Sequence, residues 1–169
     1  MKVYLAGPDV FRLDVTAWAE SSRALCAERG LVALLPSDSL ETTAVGIHRA
    51  NLQLLTTADA VVANLNPFRG HEPDSGTCVE VGMALALGKP VIGYIDDETP
   101  LVERVAVRQR GGHYLCGDGL KVENFGLPMN LMLAVPVQIV TGGLAEALKA
   151  LIAEQFLQED VEWGLRGRG

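Results

Sequence analysis

Short runs of consecutive apolar residues alternate along the chain with longer segments in which apolar residues recur at helical spacing. The short runs have the length of strands, and glycine, proline or polar residues bound them. This pattern predicts strands at Lys2–Ala6, Leu31–Leu35, Ala60–Asn64, Pro90–Tyr94 and Val137–Val140. It predicts helices at Thr16–Arg29, Gly46–Thr57, Thr77–Leu87, Pro100–Gln109 and Leu144–Phe156.

Regular alternation of strands and helices is typical of β-α-β units, which build a parallel sheet covered by helices. The predicted strands are continuously apolar, as expected when both faces of a sheet are covered. We therefore predict an α/β fold, a single doubly wound domain of flavodoxin or Rossmann type with a mostly parallel five-stranded sheet. The domain is predicted to cover residues 1–157, with an irregular segment at Gly111–Pro128, and residues 158–169 are expected to form a polar, flexible tail.

Composition favours one compact domain that acts on small molecules. The chain has 169 residues, 49% of them hydrophobic, which is enough for a sizeable core. Its 14 basic and 21 acidic residues give a net charge of −7, which argues against a nucleic-acid polymer as partner. We see neither an apolar signal region nor a run long enough to cross a membrane.

The cysteines and the glycines limit the chemistry that we expect. Cys26, Cys78 and Cys116 are far apart and outside any Cys-x-x-Cys pattern, which favours a reducing cytoplasm and predicts no metal site. Neither Gly-x-Gly-x-x-Gly nor a P-loop occurs, so no cofactor is expected.

Two carboxylates, Asp74 and Glu80, bracket the predicted start of the third helix. Ligands of parallel sheets bind beyond the carboxyl ends of the strands, which places Asp74 over the crevice and Glu80 in the first helical turn. Thr77 and Glu80 have the spacing of a capping box, a purely structural role. Alternatively, the positive end of the helix keeps a carboxylate ionised, as a nucleophile requires, and paired carboxylates are typical of glycoside chemistry. Spacing alone leaves both interpretations open.

Five elements, in this order along the chain, resemble the nucleoside 2-deoxyribosyltransferases. They are YLAGP at Tyr4–Pro8, the predicted helix with Asn51 that leads to Ala58 and Asp59, NPFRG at Asn66–Gly70, the run that begins DSGTCVEVG at Asp74, and ENFGLPMNLML at Glu123–Leu133. The resemblance extends from Lys2 to about Phe156. It implies transfer of a 2-deoxyribosyl group between nucleobases by double displacement, without a metal or cofactor.

The same resemblance implies roles for individual residues. It makes Glu80 the nucleophile that attacks C1′, Asp74 the residue that holds the sugar hydroxyls, and Tyr4 an aromatic hydroxyl beside the nucleophile. Asn51 stands where some members have a carboxylate that recognises the substrate, so the base preference stays open. The other implied substrate-binding residues are Gly7, Pro8, Phe68, Arg69, Gly76, Asn130 and Met132.

Asn130 and Met132 match residues that reach into the site of a neighbouring subunit, so the resemblance also implies a homo-oligomer with a shared active site. The implied partners are deoxynucleosides and nucleobases. Asp9 in the first turn disfavours a phosphate group, which favours nucleosides over nucleotides. Two alternatives stay open: an N-glycoside hydrolase in which water intercepts the same intermediate, and a non-catalytic module that senses nucleosides.

Overall fold

A parallel sheet of five strands forms the centre of the protein. The computed structural model describes residues 1–154. Strands β1 (Lys2–Ala6), β2 (Val32–Leu34), β3 (Ala60–Asn64), β4 (Val91–Ile95) and β8 (Gln138–Thr141) lie in the order β2-β1-β3-β4-β8. All four neighbouring pairs are parallel. The predicted α/β class and the five-stranded parallel sheet are confirmed.

Helices cover both faces of this sheet. They are α1 (Val15–Ala27), α2 (Ala44–Thr57), α3 (Ser75–Ala86), α4 (Leu101–Val105), α5 (Leu131–Ala134) and α6, which occupies residues 144–154 of the described chain. Short 3-10 helices lie at Pro8–Phe11 and Pro36–Asp38. The end of the predicted last helix and the predicted tail, residues 158–169, lie outside the described residues.

The two faces of β1 belong to two separate cores. Tyr4 and Ala6 lie in the cluster that includes residues of α2, α3 and α5, whereas Val3 and Leu5 lie in the cluster that includes residues of α1 and α6. Successive side chains of a strand point to opposite faces, so a strand buried on both sides must be apolar at every position. This explains the unbroken apolar runs in the sequence.

The segment between β4 and α5 differs from the prediction. Helix α4 ends at Val105, and a small antiparallel sheet follows, made of β5 (Arg108–Arg110), β6 (His113–Leu115) and β7 (Lys121–Val122). Gly111 and Gly112 form the two-residue turn with φ of 56° and 79°, the left-handed conformation that such hairpins need. The strands are short, and β5 is fully exposed, so the apolar pattern carried no signal for them.

Lys89 closes the carboxyl end of α2. Its Nζ donates hydrogen bonds to the carbonyl oxygens of Thr56, at 3.0 Å, and Ala58, at 2.5 Å. These carbonyls belong to the negative end of a helix dipole, which a cation stabilises.

Among residues 1–154, no helix has both the length and the apolar character that a membrane crossing requires.

Candidate active site

A short hydrogen bond joins the middle of β1 to the second turn of α3. Tyr4 is fully buried, and its hydroxyl donates to Glu80 Oε1 at 2.6 Å. The fold makes this contact because Tyr4 projects from β1 toward the face that α3 covers. Within residues 1–154 no hydrogen bond reaches the other oxygen of Glu80, Oε2. The carboxylate is therefore held by one oxygen and available through the other.

The protonation of this pair is set mainly by burial. Burial raises the pKa of Glu80, the negative charge of Asp74 raises it further, and the hydrogen bond from Tyr4 lowers it. Burial also raises the pKa of Tyr4, and the charge of Glu80 and the hydrogen bond to it act in the same direction. Tyr4 is consequently a neutral phenol that donates a hydrogen bond to the Glu80 carboxylate without transferring its proton.

Two expectations about Glu80 were wrong. Helix α3 begins at Ser75, so Glu80 lies in the second turn and not in the first. The net effect on its pKa is an increase due to burial, not the decrease expected at the positive end of a helix. The hydrogen bond from Tyr4 is the interaction that favours the ionised form.

Asp74 caps α3. Its Oδ2 accepts hydrogen bonds from the Thr77 amide at 2.9 Å and from Thr77 Oγ1 at 3.2 Å. The predicted capping box between Thr77 and Glu80 is therefore wrong, because Asp74 takes the role of the cap and Glu80 takes none. A Cβ added at Gly76 would lie 3.0 Å from Asp74 Oδ2, so a glycine there leaves room for the cap.

Phe68 and Arg69 lie together on the loop after β3, in contact with a residue that the sequence analysis missed. The rings of Phe68 and Phe11 stack with centroids 5.4 Å apart and planes 17° apart. The Arg69 guanidinium lies 4.5 Å from the Phe68 centroid and 5.0 Å from that of Phe11. We call Phe11, Phe68 and Arg69 the aromatic cluster. Phe11 follows the Gly7-Pro8 turn and is exposed. The signal in the sequence that could have identified it is an aromatic residue just beyond the first predicted strand.

Gly7 and Pro8 form a tight junction at the carboxyl end of β1. A Cβ at Gly7 would lie 2.8 Å from Asn64 Cβ and 3.0 Å from Asp9 Oδ2, distances too short for any side chain. Pro8 begins the 3-10 helix that carries Asp9 and Phe11. The Asp9 carboxylate is buried and accepts a hydrogen bond from Asn64.

Asn51 on α2 carries an unused hydrogen-bond acceptor. Its Oδ1 is buried and has no partner among the described residues. Buried amide oxygens are nearly always hydrogen-bonded in folded proteins, so this unpaired oxygen is an exception that needs an explanation.

Asn130 and Met132 lie at the amino end of α5. Asn130 caps α5 through a hydrogen bond from the Met132 amide to its Oδ1 at 3.0 Å, and the Met132 side chain is 73% exposed. Both residues border a cavity of about 460 Å³ that Cys78, Val81 and Gly82 of α3 also line. In the described part of the chain, no hydrogen bond or ion pair joins them to Tyr4 or Glu80.

Arg104 on α4 links three loops, and no pattern in the sequence marked it. Its guanidinium donates to the carbonyl oxygens of Thr99 at 3.2 Å, His71 at 3.3 Å and Pro128. Glu72 adds a further connection because its carboxylate interacts with the Asn130 backbone amide. The loop before α3 and the loop before α5 are thus held together.

The chain is similar to a known protein family and to solved structures. Residues 3–132 match the family described as nucleoside 2-deoxyribosyltransferase. A solved structure described as a 2-desoxiribosyltransferase from Leishmania mexicana is 38% identical and has a TM-score of 0.79, over 90% of this chain and 97% of that one.

Two more distant similarities were found. An uncharacterized protein of Schizosaccharomyces pombe is 29% identical over 155 residues, which cover 77% of this chain and 74% of the relative. The structure of a CMP N-glycosidase from Clostridium botulinum is 14% identical with a TM-score of 0.50, over 90% of this chain and 98% of that one. The second similarity concerns the fold alone.

Proposed function

Because the chain belongs to the nucleoside 2-deoxyribosyltransferase family, we propose that it transfers a 2-deoxyribosyl group between nucleobases through a covalent intermediate on Glu80. The observation that carries the proposal is the 2.6 Å hydrogen bond from Tyr4 to Glu80 Oε1, which leaves Oε2 available to attack. The absence of a capping role for Glu80 supports it further.

The reaction takes two displacements. In the first, Glu80 Oε2 forms a bond to C1′ as the bond from C1′ to the base nitrogen breaks, and the base leaves with that electron pair and takes up a proton from solvent. In the second, a nitrogen of the incoming base attacks C1′ and releases its proton to solvent, the bond from C1′ to Glu80 breaks, and the carboxylate is regenerated. A carboxylate close to the anomeric carbon stabilises both transition states, which resemble an oxocarbenium ion.

The side chains around Glu80 have distinct roles in this proposal. Asp74 uses Oδ2 as the helix cap, and its Oδ1 accepts a hydrogen bond from a sugar hydroxyl. Gly7, Pro8 and Gly76 let the backbone approach the substrate closely. Phe68 and Arg69 contact the flat face of the base, a surface that aromatic rings and guanidinium groups both bind. Asn51 Oδ1, which lacks a partner among the described residues, accepts a hydrogen bond from the base.

We propose that the active unit is a homo-oligomer in which Asn130 and Met132 complete the site of a second copy. The exposure of Met132 supports this arrangement, as does the lack of any hydrogen bond or ion pair from Asn130 or Met132 to Tyr4 or Glu80 within residues 1–154. Mixing Glu80→Ala chains with Asn130→Ala chains tests it, because a shared site restores activity in mixed oligomers. Sedimentation velocity of the unmodified protein measures the assembly directly, and an active monomer would exclude it.

One incubation separates transfer from its alternatives. The protein is mixed with deoxyadenosine and hypoxanthine, and the products are separated by chromatography. Deoxyinosine and adenine indicate transfer, and deoxyribose with adenine indicates hydrolysis. Binding of deoxyadenosine without either product indicates a sensing module. Mass spectrometry after reaction with a 2-fluoroarabinosyl nucleoside then locates the covalent intermediate, and a label on any residue other than Glu80 contradicts the mechanism.

A further inference from the structure

Three loops at the carboxyl edge of the sheet meet at one partly buried junction. Asn64, the last residue of β3, donates from Nδ2 to Asp9 Oδ2 at 2.8 Å. Its Oδ1 accepts two hydrogen bonds from Asn66, from the amide at 3.2 Å and from Nδ2 at 2.9 Å. Asn66 Oδ1 in turn accepts from the Asp96 amide at 2.8 Å. The loops after β1, β3 and β4 are therefore connected through Asn64.

The chemistry of the partners allows only one orientation of the Asn64 amide. A carboxylate accepts hydrogen bonds and a backbone amide donates them, so Nδ2 must face Asp9 and Oδ1 must face the Asn66 amide. Asp9 is only 8% exposed, and hydrogen bonds to a buried carboxylate are among the stronger ones. Packing restricts the junction further, since a Cβ on Gly7 would come within 2.8 Å of Asn64 Cβ.

The loops that this junction joins carry the two rings of the aromatic cluster. Phe11 lies two residues after Asp9, and Phe68 lies two residues after Asn66. The rings stack at 5.4 Å at the tips of the loops, while Asn64 holds the same loops at their base. The length of chain between the two contacts is short, so a shift at the base moves the rings.

We propose that Asn64 is a positioning residue that sets the separation of Phe11 and Phe68, acting through Asp9 and Asn66, and thereby sets affinity for the base. This inference rests on the proposed function, because it takes the aromatic cluster as the surface that the base contacts. It assigns Asn64 an effect on substrate binding and none on the bond-breaking step.

The exchange Asn64→Asp tests the proposal without changing the size of the side chain. It replaces the donor to Asp9 by a second carboxylate oxygen, and two carboxylates at this distance repel each other. We expect KM for deoxyadenosine to rise by about tenfold while kcat stays within about threefold, since an interaction that binds ground state and transition state equally changes KM alone.

A swap of the two side chains provides the rescue. When Asp9→Asn is combined with Asn64→Asp, the amide introduced at position 9 donates to the carboxylate introduced at position 64, and the hydrogen bond is restored in the opposite direction. We expect KM of the double variant to return to within about threefold of the unmodified protein, a coupling that a double-mutant cycle measures. Asn66→Asp is the matched control, because it removes the hydrogen bond from Asn66 Nδ2 to Asn64 Oδ1 and leaves the one from Asn64 to Asp9. Asp9→Asn should therefore not rescue it.

Two outcomes overturn the inference: an unchanged KM in Asn64→Asp, or a raised KM that the swap does not restore. Should Asn64→Asp fail to fold, Asn64→Ala removes the donor without adding charge, and an unchanged KM there has the same meaning. Calorimetric binding of deoxyadenosine to the same variants in the Glu80→Gln background needs no turnover. If the unmodified protein transfers no deoxyribosyl group, the proposed function fails, whereas the binding series still decides the role of Asn64.

Discussion

The hydroxyl of Tyr4 and the carboxylate of Glu80, 76 positions apart in the sequence, lie 2.6 Å from each other. Both are largely withdrawn from solvent, and burial raises the pKa of the phenol and that of the acid. The phenol therefore stays neutral, while its hydrogen bond lowers the pKa of Glu80 and so favours the ionised carboxylate. A neutral donor beside an anion fixes the position of the carboxylate without neutralising it. That combination suits a nucleophile, which needs orientation and a free electron pair at once.

Glu80→Gln separates the chemistry of this side chain from its packing. The amide oxygen of glutamine still accepts the hydrogen bond from Tyr4, but it does not form the glycosyl ester. We expect turnover to be lost while the free energy of unfolding changes by less than about 1 kcal/mol, the scale of one hydrogen bond. Steady-state transfer assays and urea denaturation measure the two quantities. Retained turnover, or global unfolding of the variant, would contradict the assignment.

Tyr4→Phe alters the pH dependence of the reaction. The hydrogen bond from Tyr4 lowers the pKa of Glu80, whereas burial raises it, so removal of the hydroxyl raises that pKa further. The reaction needs the ionised carboxylate, which predominates only above its pKa. We therefore expect the acidic limb of kcat/KM to move to higher pH, because this limb reports ionisation in the free enzyme. Tyr94→Phe is the control, since Tyr94 is also a buried phenol but does not contact Glu80. An equal shift in both variants would refute the explanation.

Asp74 has two roles that two substitutions distinguish. Asp74→Ala removes the cap of α3 and should lower the free energy of unfolding by about 1 kcal/mol. Asp74→Asn keeps an oxygen for the Thr77 amide and should restore most of that stability. If Asp74 also binds the sugar as a carboxylate, both variants show a raised KM for the deoxynucleoside. Full activity of Asp74→Asn would limit Asp74 to the structural role.

The sequence predicted the parallel sheet because its strands are buried on both faces and are therefore apolar without interruption. Val61 and Val62, neighbours on β3, point into different cores, and a buried strand needs both to be apolar. The β5–β7 sheet was missed for the opposite physical reason. Its strands, such as Arg108–Arg110, bury little, so no periodicity marks them.

For the candidate site, the positions of residues along the chain predicted which loops form the site. They did not predict which side-chain atoms are in contact. The Thr77 spacing suggested a capping box, whereas the actual cap is Asp74, one residue before the helix begins. The partner of Glu80 depends on how β1 and α3 pack, a contact between distant segments. Phe11 and Asn64 were missed because their roles depend on contacts between separate loops, which no local pattern encodes.

Arg104→Lys tests whether the loops around the site depend on one guanidinium. A lysine keeps the charge, but its compact ammonium does not reach carbonyl oxygens in three directions. We expect the free energy of unfolding to fall by about 1 kcal/mol, because the carbonyl groups of Thr99 and Pro128, which are partly buried, lose a donor. We also expect KM to rise, since the carbonyl of His71 belongs to the loop that carries Phe68 and Arg69.

The variant Lys89→Met shows whether a loss of stability alone accounts for a rise in KM. It removes the cation from the carboxyl end of α2, at the opposite end of the strands from the site, and should cost about 1 kcal/mol. Thermal unfolding and steady-state kinetics are measured for both variants. We expect the two variants to lose a similar amount of stability, but only Arg104 contacts the loops around the site. An increase in KM in Arg104→Lys but not in Lys89→Met therefore assigns the effect to the loops. Equal KM values in all three proteins would show that Arg104 stabilises the fold without positioning the site.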